Sequence, residues 1–293
     1  MIIDCAAIAA QIQQEIQQKT LQFKERKPCL AVILVGEHAP SKIYVGRKTL
    51  ACANVGFTSI RKEFSEEMQE EDLVKEIQQL NNDPDVDGIL LQLPLPDHID
   101  PIHVLRHIDP NKDVDGLHPV NAGKLLIGDT SGFVPCTPLG IKEILMRSSY
   151  EVAGKHVVVI GRSNLVGKPV AALLMQNAPG ANATVTLVHS KTKNIKDLCL
   201  LADVLIVAIG KAKFVTADMV KPNAFVIDVG INKIDNATLK QGYQIVGDVD
   251  FDSVKESCYA ITPVPGGVGP MTIAMLLYNT LKSYEKRMLP YKK

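Results

Sequence analysis

His156-Val157-Val158-Val159-Ile160-Gly161-Arg162-Ser163-Asn164-Leu165-Val166-Gly167-Lys168-Pro169 reads as a buried strand, a glycine turn and the entry to a helix. Five residues of strand type run straight into Gly161, and helical apolar spacing resumes from Val166. Unpaired backbone N–H groups and the helix dipole both face such a turn, so it is suited to bind an anion. The regular G-x-G-x-x-G spacing is not met, because Ser163 and Val166 stand where the second and third small residues belong. The stretch alone therefore admits two readings: a phosphate-binding turn, and an ordinary βα turn that needs Gly161 for a positive φ.

The next unit favours the first of these. A site selective for NAD places Asp or Glu at the end of its second strand, where it bonds the ribose 2′-hydroxyl. Here Thr184–His189 ends in Ser190-Lys191-Thr192-Lys193, a hydroxyl and cations suited to a 2′-phosphate. Arg162, on the glycine turn, can donate two parallel hydrogen bonds to the same group. Lys193 reads as a solvated turn residue, so Arg162 and Ser190 carry the preference for NADP.

Outward from this stretch, short apolar runs alternate with helical patterns along the whole chain. The candidate strands are Leu30–Val35, Phe57–Phe64, Gly88–Leu91, His156–Ile160, Thr184–His189, Val204–Ala208 and Phe225–Val229. Ser41–Val55, Met68–Leu80 and Val166–Gln176 are the crossover helices between them, and the pattern predicts an α/β protein with parallel sheets. Asp129–Pro138, rich in Gly, Pro, Ser and Thr, separates two such series and is the expected domain junction. After the second series comes Ile261–Pro270, a dense Pro/Gly loop. A helical run from Met271 to about Lys286 follows it, placed to return to the first domain.

Composition limits the kind of partner. The 293 residues suffice for two cores, and 46% apolar content is ordinary for globular protein. Thirty-two basic residues balance thirty-two acidic ones, so no net field attracts nucleic acid or an anionic membrane. A small-molecule partner is expected. No apolar run approaches the roughly 20 residues of a membrane span. The opening MIIDCAAIAAQIQQEIQQKT carries Asp4 and Glu15 and reads as an amphipathic helix, not a signal peptide. The six cysteines form no C-x-x-C pair, and no H-E-x-x-H occurs, so buried thiols in a reducing cytoplasm and no metal site are expected.

Candidate chemistry gathers in the first half. Tyr44 and Lys48 are four apart and share one helix face, placing a phenol beside an amine; a solvated lysine on an amphipathic helix is the plainer alternative. Short-chain dehydrogenases use a Tyr/Lys pair that follows their nucleotide-binding glycines, whereas this pair precedes them. Gln92 is the polar side chain at the C-terminal end of the Gly88–Leu91 strand, before the rigid Pro94–Pro96 loop, where α/β sheets bind ligands. In Lys112-Asp113-Val114-Asp115-Gly116-Leu117 one carboxylate can face a pocket while the other shapes a turn, most readily Asp113. Pro265, Gly266, Gly267 and Val268 expose backbone on which a flat heteroaromatic ligand could lie.

Taken together, Y-V-G-R-K, L-L-Q-L-P-L-P, K-D-V-D-G-L, P-C-T-P, V-V-V-I-G-R-S-N-L-V-G-K-P, D-V-G-I-N and P-V-P-G-G-V-G-P-M-T resemble the bifunctional methylenetetrahydrofolate dehydrogenase/methenyltetrahydrofolate cyclohydrolase family from about Leu34 to Thr280. The family's own turn, G-R-S-x-x-V-G, accounts for the irregular glycine spacing. The resemblance implies a folate-binding and catalytic domain over 1–137, completed by a C-terminal helix over 270–293, and a Rossmann-like NADP domain over 138–269. It also implies a homodimer and a place in one-carbon metabolism serving purine biosynthesis. Carried over by position, Tyr44, Lys48, Gln92 and Asp115 line the folate site and perform the chemistry, with Lys48 central, and Pro265 to Val268 contact substrate. Cys136, Thr137, Gly161, Arg162, Ser163, Ser190 and Ile231 contact the cofactor, while His118 receives no role. Two other functions fit parts of the same sequence: an NADP-dependent dehydrogenase of a hydroxy acid or shikimate-like substrate, and a non-catalytic nucleotide-binding module. The first would need an acid/base pair or Lys/Asp dyad beside the nicotinamide and would show no cyclohydrolase activity; the second does not explain why Tyr44, Lys48, Gln92 and Asp115 occur together.

Overall fold

The computed structural model describes residues 1–239 and 242–288. The chain divides into two units, one made of Ala10–Cys136 with the segment from Ile273, the other of Met1–Ala9 with Thr137–Thr272. The expected helical segment 270–293 is described as far as Met288, and 289–293 lie outside the described residues.

In the first unit, helix α1 (Cys5–Leu21) leads to strand β1 (Cys29–Val35), helix α2 (Ala39–Asn54), strand β2 (Thr58–Phe64), helix α3 (Glu70–Asn82) and strand β3 (Gly88–Leu91). Short helices α4 (Pro101–Leu105) and α5 (Pro119–Ile127) follow. The sheet is parallel with order β2-β1-β3, pairing Leu30 with Ser59 on one side and Gly88 on the other. Every residue of the central strand β1 is buried, hence its unbroken apolar sequence, whereas β2 is an edge that carries Arg61, Lys62 and Glu63. Ile33, Ile89 and Leu91 pack with Leu73, Ile77 and Leu80 of α3 and with Ile108. Each such apolar side chain contributes roughly 1.5–3 kcal/mol.

The second half of the chain closes this unit. Asn279 donates through Nδ2 to the Val114 and Val134 carbonyls at 2.9 and 3.0 Å, and Ser283 Oγ donates to the Asp87 and Asn111 carbonyls. The fully buried Asp87 carboxylate accepts from Arg26 Nη2 at 2.7 Å, Arg287 Nη1 at 3.1 Å and the Cys29 amide at 2.9 Å. A carboxylate without solvent is stable only when its oxygens are filled in this way.

In the second unit, α6 (Cys136–Arg147) enters strand β4 (His156–Ile160), followed by α7 (Gly167–Leu174), β5 (Thr184–Val188), α8 (Ile195–Cys199), β6 (Val204–Val207) and β7 (Phe225–Asp228). A hairpin of β8 (Asn232–Asp235) and β9 (Tyr243–Val246) precedes α9 (Phe251–Val254), β10 (Ala260–Ile261) and the long α10 (Val268–Met288). The main sheet is parallel with order β10-β7-β6-β4-β5. The chain goes from β4 to β5 on one side and then returns to β6 on the other, so the strand order reverses at β4. Val158, Ile160, Leu205, Val207 and Val226 form its core with Cys199 and Ile261.

The α/β class and all seven expected strands are present, with ends shifted by at most one residue. Strands β8, β9 and β10 were not expected: Asn232–Asp235 alternates with charged residues in a short hairpin, and Ala260–Ile261 is too short to carry a period. The first domain was expected to start at residue 1, but Met1–Ala9 group with the second unit. The Ile3 amide donates to the Ile261 carbonyl and the Ile261 amide to the Met1 carbonyl, each at 2.9 Å, which extends the sheet at β10.

Candidate active site

Lys48 lies on the buried stripe of α2, which Ser41, Val45, Ala51 and Cys52 share at helical spacing. Its side chain is only 8% exposed, so the solvated-lysine alternative does not hold. Nζ donates to Gln92 Oε1 at 2.9 Å, and Gln92 Nε2 donates to the Leu93 carbonyl at 2.7 Å. Burial lowers the Lys48 pKa below its ordinary value, while the negative charge of Asp115 and the nearby Cys136 pull it back up. Tyr44 sits one turn earlier on α2, half-buried.

The two carboxylates of Asp113-Val114-Asp115 divide as the turn reading expected. Asp113 is 1% exposed and accepts from the Leu117 amide at 3.2 Å, the His118 amide at 2.8 Å and Asn121 Nδ2 at 2.8 Å. It therefore ties the loop to α5. Asp115 remains half-exposed and acts electrostatically on Lys48 and Cys136. His118, without an assigned role, caps α5: its Nδ1 accepts from the Val120 amide at 3.1 Å and its Nε2 meets the Arg106 carbonyl at 3.2 Å. Lys112 is also structural, donating to the Leu80, Asn81 and Asp83 carbonyls at the end of α3.

Cys136, expected near the cofactor, lies in the first unit with Lys48 and Asp115. Its Sγ donates to the Val114 carbonyl at 3.4 Å, and burial, reinforced by Asp115, pushes its thiol well above the ordinary range. Such a thiol is no nucleophile at neutral pH. All six cysteines are buried and free.

Gly161, Arg162, Ser163, Ser190, Thr137, Ile231 and Pro265 to Val268 belong to the second unit. Gly161 follows β4 with φ of +122°, and a Cβ there would meet the Ala208 carbonyl oxygen, just past β6, at 2.2 Å. A Cβ on Gly167 would lie 2.1 Å from the Gly161 carbonyl oxygen. Both positions therefore require glycine, and the turn is tighter than an ordinary βα connection. Ser163 Oγ accepts from the Val166 and Gly167 amides at 3.1 and 3.4 Å, which orders the entry to α7. Arg162 and Ser190 project from the surface, as does Ile231, an apolar side chain 56% exposed. Thr137 Oγ1 pairs with Thr272 Oγ1 at 3.0 Å, and the loop at Pro265, which follows a cis Val264–Pro265 bond, leaves Pro265 and Gly266 exposed and Gly267 and Val268 buried.

Sequence reasoning missed Asp228 and Asp248, two carboxylates 3% and 0% exposed in the second unit. Burial pushes Asp228 up to about 6. Asp228 opens the D-V-G-I-N block, but neither carboxylate received a role from the sequence. Among the described residues no group of three or more His, Cys, Asp or Glu is arranged to hold a metal, and no helix is long and apolar enough to cross a membrane.

A parallel sheet with a close-packed glycine turn at the point where the strand order reverses is the architecture of a dinucleotide-dependent α/β enzyme. Comparison with known proteins narrows that class. The model of the tetrahydrofolate dehydrogenase/cyclohydrolase catalytic domain matches residues 3–115, and that of the tetrahydrofolate dehydrogenase/cyclohydrolase NAD(P)-binding domain matches residues 135–288. The chain belongs to the tetrahydrofolate dehydrogenase/cyclohydrolase family. The bifunctional protein FolD of Protochlamydia amoebophila is 61% identical over 286 residues, 98% of either chain. The solved structure of the bifunctional enzyme FolD, methylenetetrahydrofolate dehydrogenase/cyclohydrolase, from Campylobacter jejuni is 46% identical, with a TM-score of 0.92 over 98% of this chain and 99% of that one. The Trypanosoma brucei enzyme, solved in complex with NADP cofactor and inhibitor, is 40% identical, with a TM-score of 0.92 over 99% of both chains.

Proposed function

We propose that this protein oxidises 5,10-methylenetetrahydrofolate with NADP⁺ and hydrolyses the resulting 5,10-methenyl compound to 10-formyltetrahydrofolate. Family membership supports both reactions, and the observation that carries the assignment of groups is the buried Lys48 amine held at 2.9 Å by Gln92. The unit of Ala10–Cys136 with α10 is proposed as the folate-binding and catalytic unit, the other as the NADP unit.

The glycine turn fits a dinucleotide. Glycine at 161 and 167 lets the turn pack closely against backbone. With the Val166, Gly167 and Lys168 amides already taken by Ser163, a pyrophosphate is proposed to lie along the turn at Arg162 and Ser163. Arg162 and Ser190 are exposed and free to meet a 2′-phosphate, and no carboxylate ends β5 to repel it. Ile231, exposed and apolar, is suited to cover a ring, and Thr137 and Ser163 complete the proposed contacts. When bound, NADP⁺ supplies the hydride acceptor for the first reaction.

The chain's own groups perform the rest. Asp115 would accept hydrogen bonds from the pterin amide and amino edge, and Pro265 to Val268 would contact the folate. In the hydrolysis, water adds to the methenyl carbon and loses one proton, one C–N bond opens as its nitrogen is protonated, and the remaining hydroxyl proton leaves as the formyl C=O forms, so that one proton is released overall. Lys48, with its pKa lowered by burial, can take and return that proton, while Gln92 orients the amine and Tyr44 borders it. Cys136 backs Asp115 and Lys48 without reacting.

A homodimer working in the cytoplasm is proposed on the same resemblance, the six free thiols being consistent with a reducing compartment. The test is one assay: purified protein with methylenetetrahydrofolate and NADP⁺, with NADPH formation and then formyl product followed. Absence of NADPH overturns the first reaction, and accumulation of the methenyl compound overturns the second.

A further inference from the structure

Asp228 ends β7 at the C-terminal edge of the second unit's sheet, and Asp248 is bonded to the loop after β6. Asp248 Oδ2 accepts from the Ile209 amide at 2.7 Å and the Gly210 amide at 2.9 Å. Its Oδ1 accepts from the Lys211 amide and from Asn232 Nδ2, both at 2.8 Å. One carboxylate thus binds three successive amides of the loop after β6 and the side chain that opens β8. Asp228, the last residue of β7, holds Asp248 in turn: its Oδ1 accepts from the Gly230 and Asp248 amides at 3.0 and 2.9 Å, and its Oδ2 from the Val249 amide at 2.9 Å.

The fit is close enough to dictate two glycines. A Cβ on Gly230 would lie 2.2 Å from the Asp248 carboxyl carbon, and one on Gly247 would lie 1.7 Å from Asp228 Oδ2. Asp228-Val229-Gly230 and Gly247-Asp248 therefore interlock, each carboxylate seated over the other segment's glycine.

The loop held by Asp248 is the continuation of β6 whose Ala208 carbonyl oxygen abuts Gly161. The segment held through Asn232 begins beside the exposed Ile231. We propose that Asp248 is a positioning residue for the cofactor, its carboxylate fixing the loop after β6 and the segment after Ile231 as one rigid platform at the switch point of the sheet. Backbone amides held by a buried anion stay in one arrangement whether or not the site is filled, so no ordering is required on binding. This inference rests on the dinucleotide binding at that turn.

Asp248→Asn is the decisive variant. It keeps size and shape, but an amide offers one oxygen where four N–H groups converge, so its own NH₂ must face donors. The two reactions provide an internal comparison, because hydrolysis of the methenyl compound uses no hydride acceptor. In Asp248→Asn the KM for NADP⁺ is expected to rise by about tenfold or more. The KM for methylenetetrahydrofolate and the rate of methenyl hydrolysis are expected to stay within about twofold, the ordinary reach of a change that removes no contact. Asn232→Ala, which removes one of the four donors, should raise the same KM by a smaller factor and serves should Asp248→Asn fail to fold. An unchanged KM for NADP⁺ in the folded variants overturns the proposal, as does a parallel loss of both activities, which marks Asp248 as general scaffolding. Failure of the unmodified protein to form NADPH overturns the underlying cofactor assignment instead.

Discussion

Lys48 Nζ donates to Gln92 Oε1 at 2.9 Å, joining the buried face of α2 to the residue that follows β3. Because Gln92 Nε2 is already engaged with the Leu93 carbonyl, the amide presents its oxygen, not its NH₂, to the lysine. An amine held from one side keeps its remaining valence for a substrate, whether it carries two protons or three.

Replacement of Lys48 by Gln keeps a polar group but removes the titratable one. Cyclohydrolase activity should fall by about a hundredfold or more, the scale of lost acid–base help, with folate still bound. Dehydrogenase activity should survive better, since hydride transfer requires no proton from the enzyme. Both rates, measured across pH with NADP⁺ affinity as a folding check, decide the point: near-normal methenyl hydrolysis removes Lys48 from the chemistry.

Lys48 also costs stability. Its folded pKa lies below its unfolded one because burial disfavours the ammonium form. In the window between those two values the unfolded chain binds more protons, so stability rises with pH there, and below the folded pKa the burial penalty is fully present. Lys48→Met should therefore melt higher than the unmodified protein at pH 7, by about 2 °C or more, with the advantage shrinking as pH approaches 10. Thermal melts at several pH values suffice, and a lower melting point for Lys48→Met at pH 7 would show that the bond to Gln92 outweighs burial.

Asp113 and Asp115 should separate cleanly under substitution. Asp113→Ala leaves the Leu117 and His118 amides and Asn121 Nδ2 without their acceptor and should destabilise the protein by about 3 kcal/mol. Asp115→Asn should leave the melting temperature nearly unchanged, weaken a folate analogue and depress both reactions, a carboxylate bond to the pterin edge exceeding an amide one by roughly 1–2 kcal/mol. Unaltered analogue binding by Asp115→Asn would make Asp115 a second turn residue.

Arg162→Ala should weaken NADP⁺ much more than NAD⁺, since the exposed guanidinium is assigned to the 2′-phosphate alone. Ser190→Ala should act in the same direction with a smaller effect. The readout is the ratio of kcat/KM for the two cofactors, and equal use of both by the unmodified protein overturns the assignment.

The parallel sheets were legible because β1, β3, β4, β6 and β7 are buried along most of their length and so read as unbroken apolar runs. The β8–β9 hairpin was not legible, since its solvent-facing residues dilute any period. Tyr44, Lys48, Gln92 and Asp115 stood out through motif and spacing, but whether Lys48 faced water or core depended on which stripe of α2 packs inward, which only folding decides. The roles of Asp228 and Asp248 were not legible because, Asn232 aside, their partners are backbone amides, and a hydrogen bond to an amide leaves no trace in the identity of the residue that donates it.

The helix α10 starts in one unit and completes the other, and Met1–Ala9 pair with the strand just before it. On a ribosome that arrangement imposes a late finish. Residue 87 emerges 200 residues ahead of Arg287, and residue 114 emerges 165 ahead of Asn279. The nascent chain must therefore carry the buried anion Asp87 and the loop carbonyl of Val114 without their final partners through most of synthesis. A premature stop before α10 leaves neither half with its full set of contacts, so a fragment of this chain is a poor substitute for either domain.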